Sequence, residues 1–359
     1  MQFLRKHRAL HIWIGITAGV MLLFLLLRDN RPLMTFWVDH ISWPFIRFIQ
    51  PITHLARFSL AEWYLLLSIL IPIALLIREI RKMRRGLWRI SHGIYRIIAG
   101  LLAILLTILA SFSLLWGANY RADGFQERSG IFAQGATVAD LERVTTHFAQ
   151  GLNRTAHLVE RDAEGVFAVS IDEIFSESVD VFRNVEAVFP FLTQRDFPPK
   201  PLLISPFMAL TNYTGFYFPF TGEANINLLA PRANIPATVL HEFVHQRGIA
   251  SENEANFVAI LAGVYSENPT FAYSAYLLGY LYLSNALNRA SPERFRAIQE
   301  TLSPYVFADF ADIRAHRERN NPTVARVMDT LNDAMLRSYG EESGIQSYGE
   351  VVDLLIVYF

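Results

Sequence analysis

The chain has 359 residues, 52% of them hydrophobic, and a mean hydropathy of +0.24, which gives room for about two domains and is more apolar than an ordinary water-soluble protein. Its 32 basic and 33 acidic residues leave a net charge of -1, so the overall balance gives no reason to expect a nucleic-acid partner, although the first third is basic and the remainder mildly acidic. There is no cysteine, which excludes disulfides, cysteine-ligated zinc and thiol catalysis and leaves His, Asp and Glu as metal ligands.

The run from Ala9 to Leu27 is uncharged for 19 residues. At a helical rise of about 1.5 Å per residue it can cross a hydrocarbon core of roughly 30 Å. A signal peptide is the rival reading, because Arg5, Lys6 and Arg8 precede it, but no small-residue cleavage site follows Leu27, so a retained first transmembrane helix (9–27) is preferred. Residues 28–60 mix Trp37, Trp43, Phe45 and Phe48 with charged residues, and Pro32, Pro44 and Pro51 interrupt any long helix. They read either as interfacial segments along a membrane surface or as a loop with aromatic contacts.

Apolar runs from Trp63 to Ile77 and from Ile94 to Trp116 predict two more transmembrane helices, at about 61–79 and 94–116, with Trp or Tyr near their ends and Arg96 placed to snorkel. Between them lie Arg78, Arg81, Lys82, Arg84, Arg85 and Arg89, a short basic loop that should stay in the cytoplasm. The N-terminus then also lies inside, and everything after about Asn119 lies outside. The chain divides into a membrane domain, 1–118, and an extracytoplasmic domain, 119–359.

Beyond Tyr120, helical patterns appear at about Val138 to Leu152 and Ile171 to Val188. Leu202 to Ser205 and Phe216 to Phe218 read as short strands, and Ile226-Asn227-Leu228 as an exposed edge strand. Pro231 and Pro236 mark the entry to a helix that runs to about Arg247 and is stopped by Gly248; the next begins at Ser251. Phe271 to Leu287 is apolar but carries serines, tyrosines and Asn285, so it is read as a buried helix, with a fourth membrane segment as the alternative. Polar helices near 292–302 and 322–338 and a last apolar helix from about Tyr348 complete an α-rich domain. No glycine cluster forms a phosphate-cradling loop, so no nucleotide partner is expected.

The chemistry concentrates at His241-Glu242-Phe243-Val244-His245. Histidines four apart share one helix face and can reach one metal ion, while Glu242 is placed to act as general base on a water. Such a short motif also arises by chance, with the histidines as ordinary helix residues; the apolar flanks and the acidic residues that follow favour the metal reading. Ser251-Glu252-Asn253-Glu254 matches a capping box, which would occupy Glu254 and leave Glu252 free as third ligand. Glu252 is therefore ranked first and Glu254 is the alternative. Asn256, four residues after Glu252, is placed to hydrogen-bond a ligand from behind.

His241 to His245 followed by Glu252-Asn253-Glu254-Ala255-Asn256-Phe257 resembles the gluzincin metallopeptidases, and the Glu-x-Glu-Ala-Asn part resembles the minigluzincins. Asn256 stands where many gluzincins have Asp. The whole chain resembles an uncharacterised bacterial membrane family, the domain of unknown function 3810, through its three membrane segments, Trp116 to Arg121, Pro219 to Asn225, His241 to Phe257 and Ser347-Tyr348-Gly349. The resemblance implies an α-helical membrane region of three transmembrane helices followed by a mainly α (α+β) zincin-like domain with a short sheet. It also implies a multi-pass zinc metallopeptidase of the bacterial cell membrane, whose partners are the lipid bilayer and a peptide or protein substrate. An oxyanion donor is not identified by spacing; Tyr348 and His316 are polar residues that are not assigned to the site. The alternative from another class is a non-catalytic scaffold or signalling protein with a structural metal.

Overall fold

The computed structural model describes residues 7–211, 213–319, 322–339 and 348–359. Arg5 and Lys6 of the expected cytoplasmic N-terminus, Ser347, and the side chain of Tyr348 lie outside that description. Among the described residues the chain is mostly helical, with one small sheet and three helices long and apolar enough to cross a membrane: Arg8–Leu27, Leu60–Arg84 and Ile90–Leu115. The second runs past the expected end at 79 because Arg81, Lys82 and Arg84 fill its last turn, where cations favour the carbonyl end of the helix dipole. Small residues let the spans approach closely: a Cβ on Gly100 would stand 2.5 Å from Leu75 of the second span, and one on Gly93 2.3 Å from Met83.

Between the first two spans the chain is helical throughout most of its length, unlike a loop. Helices Arg31–Trp37 and Trp43–Thr53 are joined by a π-helical turn, Val38–Ser42. Pro44 sits in the first turn of the later helix, where a missing amide hydrogen costs nothing. Ile46, Gln50 and Thr53 are buried on one face, and the Gln50 and Thr53 side chains donate to the carbonyls of Gly222 and Thr221.

In the second half, the buried helix Pro269–Ala290 packs along Val138–Thr155 and against the helices that follow residue 235. It is not among the three candidate spans: Phe271, Tyr273 and Tyr280 are core residues, and the Ser274 hydroxyl donates to the Ala233 carbonyl and accepts from the Ala237 amide. The expected helix 171–188 is broken into Ile171–Glu177, a 3₁₀ turn and Arg183–Val188. Helix Pro304–Arg319 was not expected, since its charged and apolar residues show little periodicity; buried Asp309 anchors it by accepting from Arg161 at 2.7 Å and from the Phe167 amide at 2.8 Å.

The sheet has the order β1-β3-β2, with β1 at Lys200–Pro201, β2 at Gly215–Phe218 and β3 at Glu223–Ile226. β3 pairs parallel to β1 (Lys200 with Asn225) and antiparallel to β2 (Phe216 with Asn225). Two expectations are corrected. Residues 226–228 are not an exposed edge: the strand lies three residues earlier, in the centre, wholly buried, and β1 and β2 are the edges. Residues 202–205 are not a strand: after the Leu202 amide donates to the Ile226 carbonyl at 3.1 Å, the chain turns into the short helix Ser205–Met208, which has Pro206 in its first turn.

Candidate metal centre

The helix Ile235–Gln246 carries His241, Glu242 and His245, with Pro236 in its first turn. Gly248, at φ 81°, ends it in the left-handed region, where a side chain would also press on Asn119 and Trp43. The chain then turns into the helix Glu252–Tyr265, whose first residue faces the histidines. One Glu252 oxygen lies 3.2 Å from His241 Nε2 and the other 3.7 Å from His245 Nε2. A ligand atom from each of the three lies within 4.8 Å of the others, and among the described residues this is the group of His and carboxylate donors able to hold a metal.

The outward-facing ring nitrogens are held from behind. His245 Nδ1 donates to the Ile249 carbonyl at 2.7 Å, and His241 Nδ1 bonds Asn256 Oδ1 at 3.0 Å. Asn256 is itself fixed, its amide nitrogen donating to the Glu252 carbonyl at 2.8 Å. Both Nε2 atoms are thus aimed at the gap beside Glu252, in the arrangement by which buried partners fix the tautomer and angle of ligating histidines.

Glu242 is 4% exposed, and its Oε2 is buried with no hydrogen-bond partner. Burial pushes its carboxyl up to about 8, with the Glu252 charge adding and the His241 charge and the Tyr217 backbone amide opposing. His241 loses charge stability by burial, but the hydrogen bond and charge of Glu252 outweigh that and hold it at about 9. Burial and the neighbouring His241 lower His245 to about 4. Glu252, despite burial, is held down to about 2 by the His241 hydrogen bond and both histidines. Without metal the centre therefore holds its charge as an imidazolium–carboxylate pair.

Glu254 does not turn back to Ser251. The Ser251 side chain makes no capping bond; Glu254 points to a distant segment and accepts from the Phe125 and Gln126 amides at 2.8 and 2.9 Å. It caps the short helix Phe125–Ser129, and a Cβ on Gly124 would lie 2.3 Å from Glu254 Oε2. His316 lies on helix Pro304–Arg319, outside the metal group. Arg247, at the end of the helix, is fully buried: it donates to both Asp196 oxygens and to Glu186, each at 2.8 Å, and its guanidinium covers the Phe182 ring at 3.7 Å.

Several neighbours of the centre carry no sequence motif. Gly215 of β2 lies against it, since a Cβ there would stand 2.8 Å from the Asn225 carbonyl and 3.1 Å from Glu242 Oε1. The Trp116 ring meets His245 edge-on at 5.6 Å and Tyr217 at 4.9 Å, and these three share a cavity of about 10 Å³ with Trp43 and Asn119. Trp43 Nε1 donates to the Gln246 carbonyl at 3.0 Å. Residues from the end of the third span and from the helix after the first span thus form one wall of the centre.

Residues 40–356 match a family model described as protein of unknown function (DUF3810). The chain belongs to that family. The matched region takes in the second and third candidate spans, the sheet, and His241, His245 and Glu252. No curated protein and no solved structure matches the chain.

Proposed function

We propose that this protein is a membrane-anchored zinc metallopeptidase with a gluzincin-like centre. The observation that carries the reading is the convergence of His241, His245 and Glu252 within 4.8 Å, beside a buried Glu242 oxygen that has no partner. Two neutral imidazoles and a carboxylate suit zinc, and a set of three leaves a position open, as catalytic zinc sites do and closed structural sites do not. Bound zinc would lower the pKa of a coordinated water toward about 7 and polarise a scissile carbonyl.

The residues divide the remaining work. His241, His245 and Glu252 would hold the ion, with Asn256 and the Ile249 carbonyl keeping the two rings in place. Burial raises the Glu242 carboxyl in the metal-free centre, and a bound cation beside it would favour the carboxylate, so that Glu242 Oε2 would take the proton of the attacking water and return it to the leaving amine. Trp116 and Tyr217 would shield one side of the centre from bulk water. Fixed cytoplasmically by the basic loop, the spans would put this centre on the outer face of a bacterial cell membrane.

The experiment is cleavage of an unbiased peptide library by the detergent-purified, zinc-loaded protein beside Glu242→Gln. Glu242→Gln should keep one zinc per chain and lose cleavage by at least about 100-fold, the usual scale of a general base. Equal cleavage by both proteins, or none by the zinc-loaded wild type, favours a scaffold with a structural metal.

A further inference from the structure

We propose that the connection from β1 to β2 is a membrane-seated loop whose apolar face enters the lipid leaflet at the Leu60 end of the second span. Between Lys200 and Glu223 there is no charged residue. Within this stretch Leu203 is 78% and Phe207 55% exposed, and Ile204 and Leu210 are exposed beside them. The spacing 203, 204, 207 places three of them on one side of the turn that contains helix Ser205–Met208. Apolar side chains grouped in this way, in a chain that also carries membrane-crossing helices, need an apolar partner.

The fold names that partner by position. The Ile204 amide donates to Glu62 Oε1 at 2.8 Å, and Glu62 lies in the first turn of the second span. A residue tied to the first turn of a spanning helix stands at headgroup depth. Phe58 and Trp63, both about half exposed on either side of that helix start, are aromatic anchors of the same level. The helix Trp43–Thr53 and the turn after it present a matching face, with Phe48 71% and Leu55 83% exposed opposite the buried Ile46 and Gln50. Lys200 donates to the Ala56 carbonyl and so joins the two surfaces at the base of the loop. The lipid leaflet is already continuous with both; a second copy of the chain would have to displace lipid from Phe58 and Trp63 to reach the loop.

Since the loop joins the two outer strands of the sheet beside Glu242, seating it in lipid fixes the height of the centre at the bilayer surface. This holds whatever reaction the centre performs.

The absence of cysteine makes the test direct. Leu203→Cys and Phe207→Cys, each labelled with a nitroxide and reconstituted in phosphatidylglycerol–phosphatidylethanolamine vesicles, are compared by collision with oxygen and with a water-soluble nickel chelate. Ile69→Cys in the second span is the lipid reference and Arg314→Cys, on an exposed helix, the water reference. The expected result is an oxygen-to-nickel ratio at 203 and 207 well above that at 314 and below that at 69, because the loop sits near headgroup depth and Ile69 about nine residues further into the span. A ratio equal to that at 314 overturns the proposal, and so does a label shielded from both agents with spin–spin broadening, which marks a second copy as the occupant. Both substituted side chains are exposed, and an unchanged helical circular dichroism spectrum verifies the fold before the ratios are read.

Discussion

The two carboxylates that follow the metal helix show how much a single side chain's direction decides. Glu252 faces the imidazoles and Glu254 the Phe125 and Gln126 amides, so removing each should have opposite consequences. Glu252→Ala should lose zinc on mild dialysis, as should His241→Ala and His245→Ala, because two donors leave an ion that a chelator strips easily. Glu254→Ala should keep its zinc and lose about 2–3 kcal/mol of stability, since the buried Phe125 amide and the part-buried Gln126 amide would lose their acceptor. Zinc content and thermal unfolding, measured together, separate the two; retained zinc in Glu252→Ala would remove it from the ligand set. Protons give a second reading. With His241 held at about 9, its ring is charged at pH 7 and must lose a proton to bind zinc. Titration in buffers of different ionisation heat should show at least one proton released at pH 7, falling as pH rises through 9, with affinity rising over the same range. Affinity that stays flat from pH 6 to 9 would contradict the imidazolium–carboxylate pair. The pairing of His241 with His245, and of Glu252 with Asn256, was legible because a spacing of four puts each pair on one face of its own helix. The job of Glu254 was not, because its partners lie 129 and 128 residues away and no local pattern encodes them.

At the scale of elements, apolar length and periodicity were enough for the three candidate spans and too weak for helix Pro304–Arg319 and for the sheet. Strands of two to four residues carry few alternations, and β3 is buried on both faces, so the alternating 226–228 stretch was mistaken for its edge. What positions the sheet is close approach. Gly215 lets β2 lie on the metal helix, and Gly215→Val should push against the Asn225 carbonyl and Glu242 together. If Glu242 is the general base, this variant should lose cleavage while keeping one zinc per chain, a separation that simple unfolding would not produce. The other end of the helix that carries the histidines depends on Arg247. Its guanidinium, fully buried between Glu186 and Asp196, can be replaced only at the cost of leaving buried carboxylate charge unpaired; burial already pushes the Asp196 carboxyl up. Arg247→Ala should therefore destabilise the protein by about 3–5 kcal/mol, read as a lower denaturant midpoint in detergent. A loss under about 1 kcal/mol would mean that water reaches the pair.

Across the whole molecule, the membrane helices and the metal centre are joined rather than merely tethered. The Glu223 carboxylate of β3 accepts from the Ala61 amide at 3.0 Å and the Leu60 amide at 3.3 Å, capping the second span, while the Ser59 hydroxyl donates to Asn225 Oδ1 at 2.7 Å. The Leu60 end of that span, the Leu115 end of the third and the candidate metal centre consequently lie together at one end of the apolar helices, and the basic residues 78–89 lie at the other. This geometry makes a topology experiment report on the chemistry. Short loops rich in Arg and Lys are retained in the cytoplasm, and Arg78, Arg81, Lys82, Arg84, Arg85 and Arg89 outnumber the single acidic Glu79, which pairs with Arg78 and Arg96. A reporter enzyme that works only in an outer compartment, fused after Phe359, should thus be active, and one that fluoresces only in the cytoplasm should be dark at the same position. Both reporters should give the reverse result when inserted after Gly86, in the basic turn. A fluorescent C-terminal fusion would place the centre inside the cell and restrict any substrate to cytoplasmic chains. Replacing the six basic residues of the turn with Gln should weaken the bias and produce a mixed population, which ties the orientation to charge rather than to the apolar lengths of the spans.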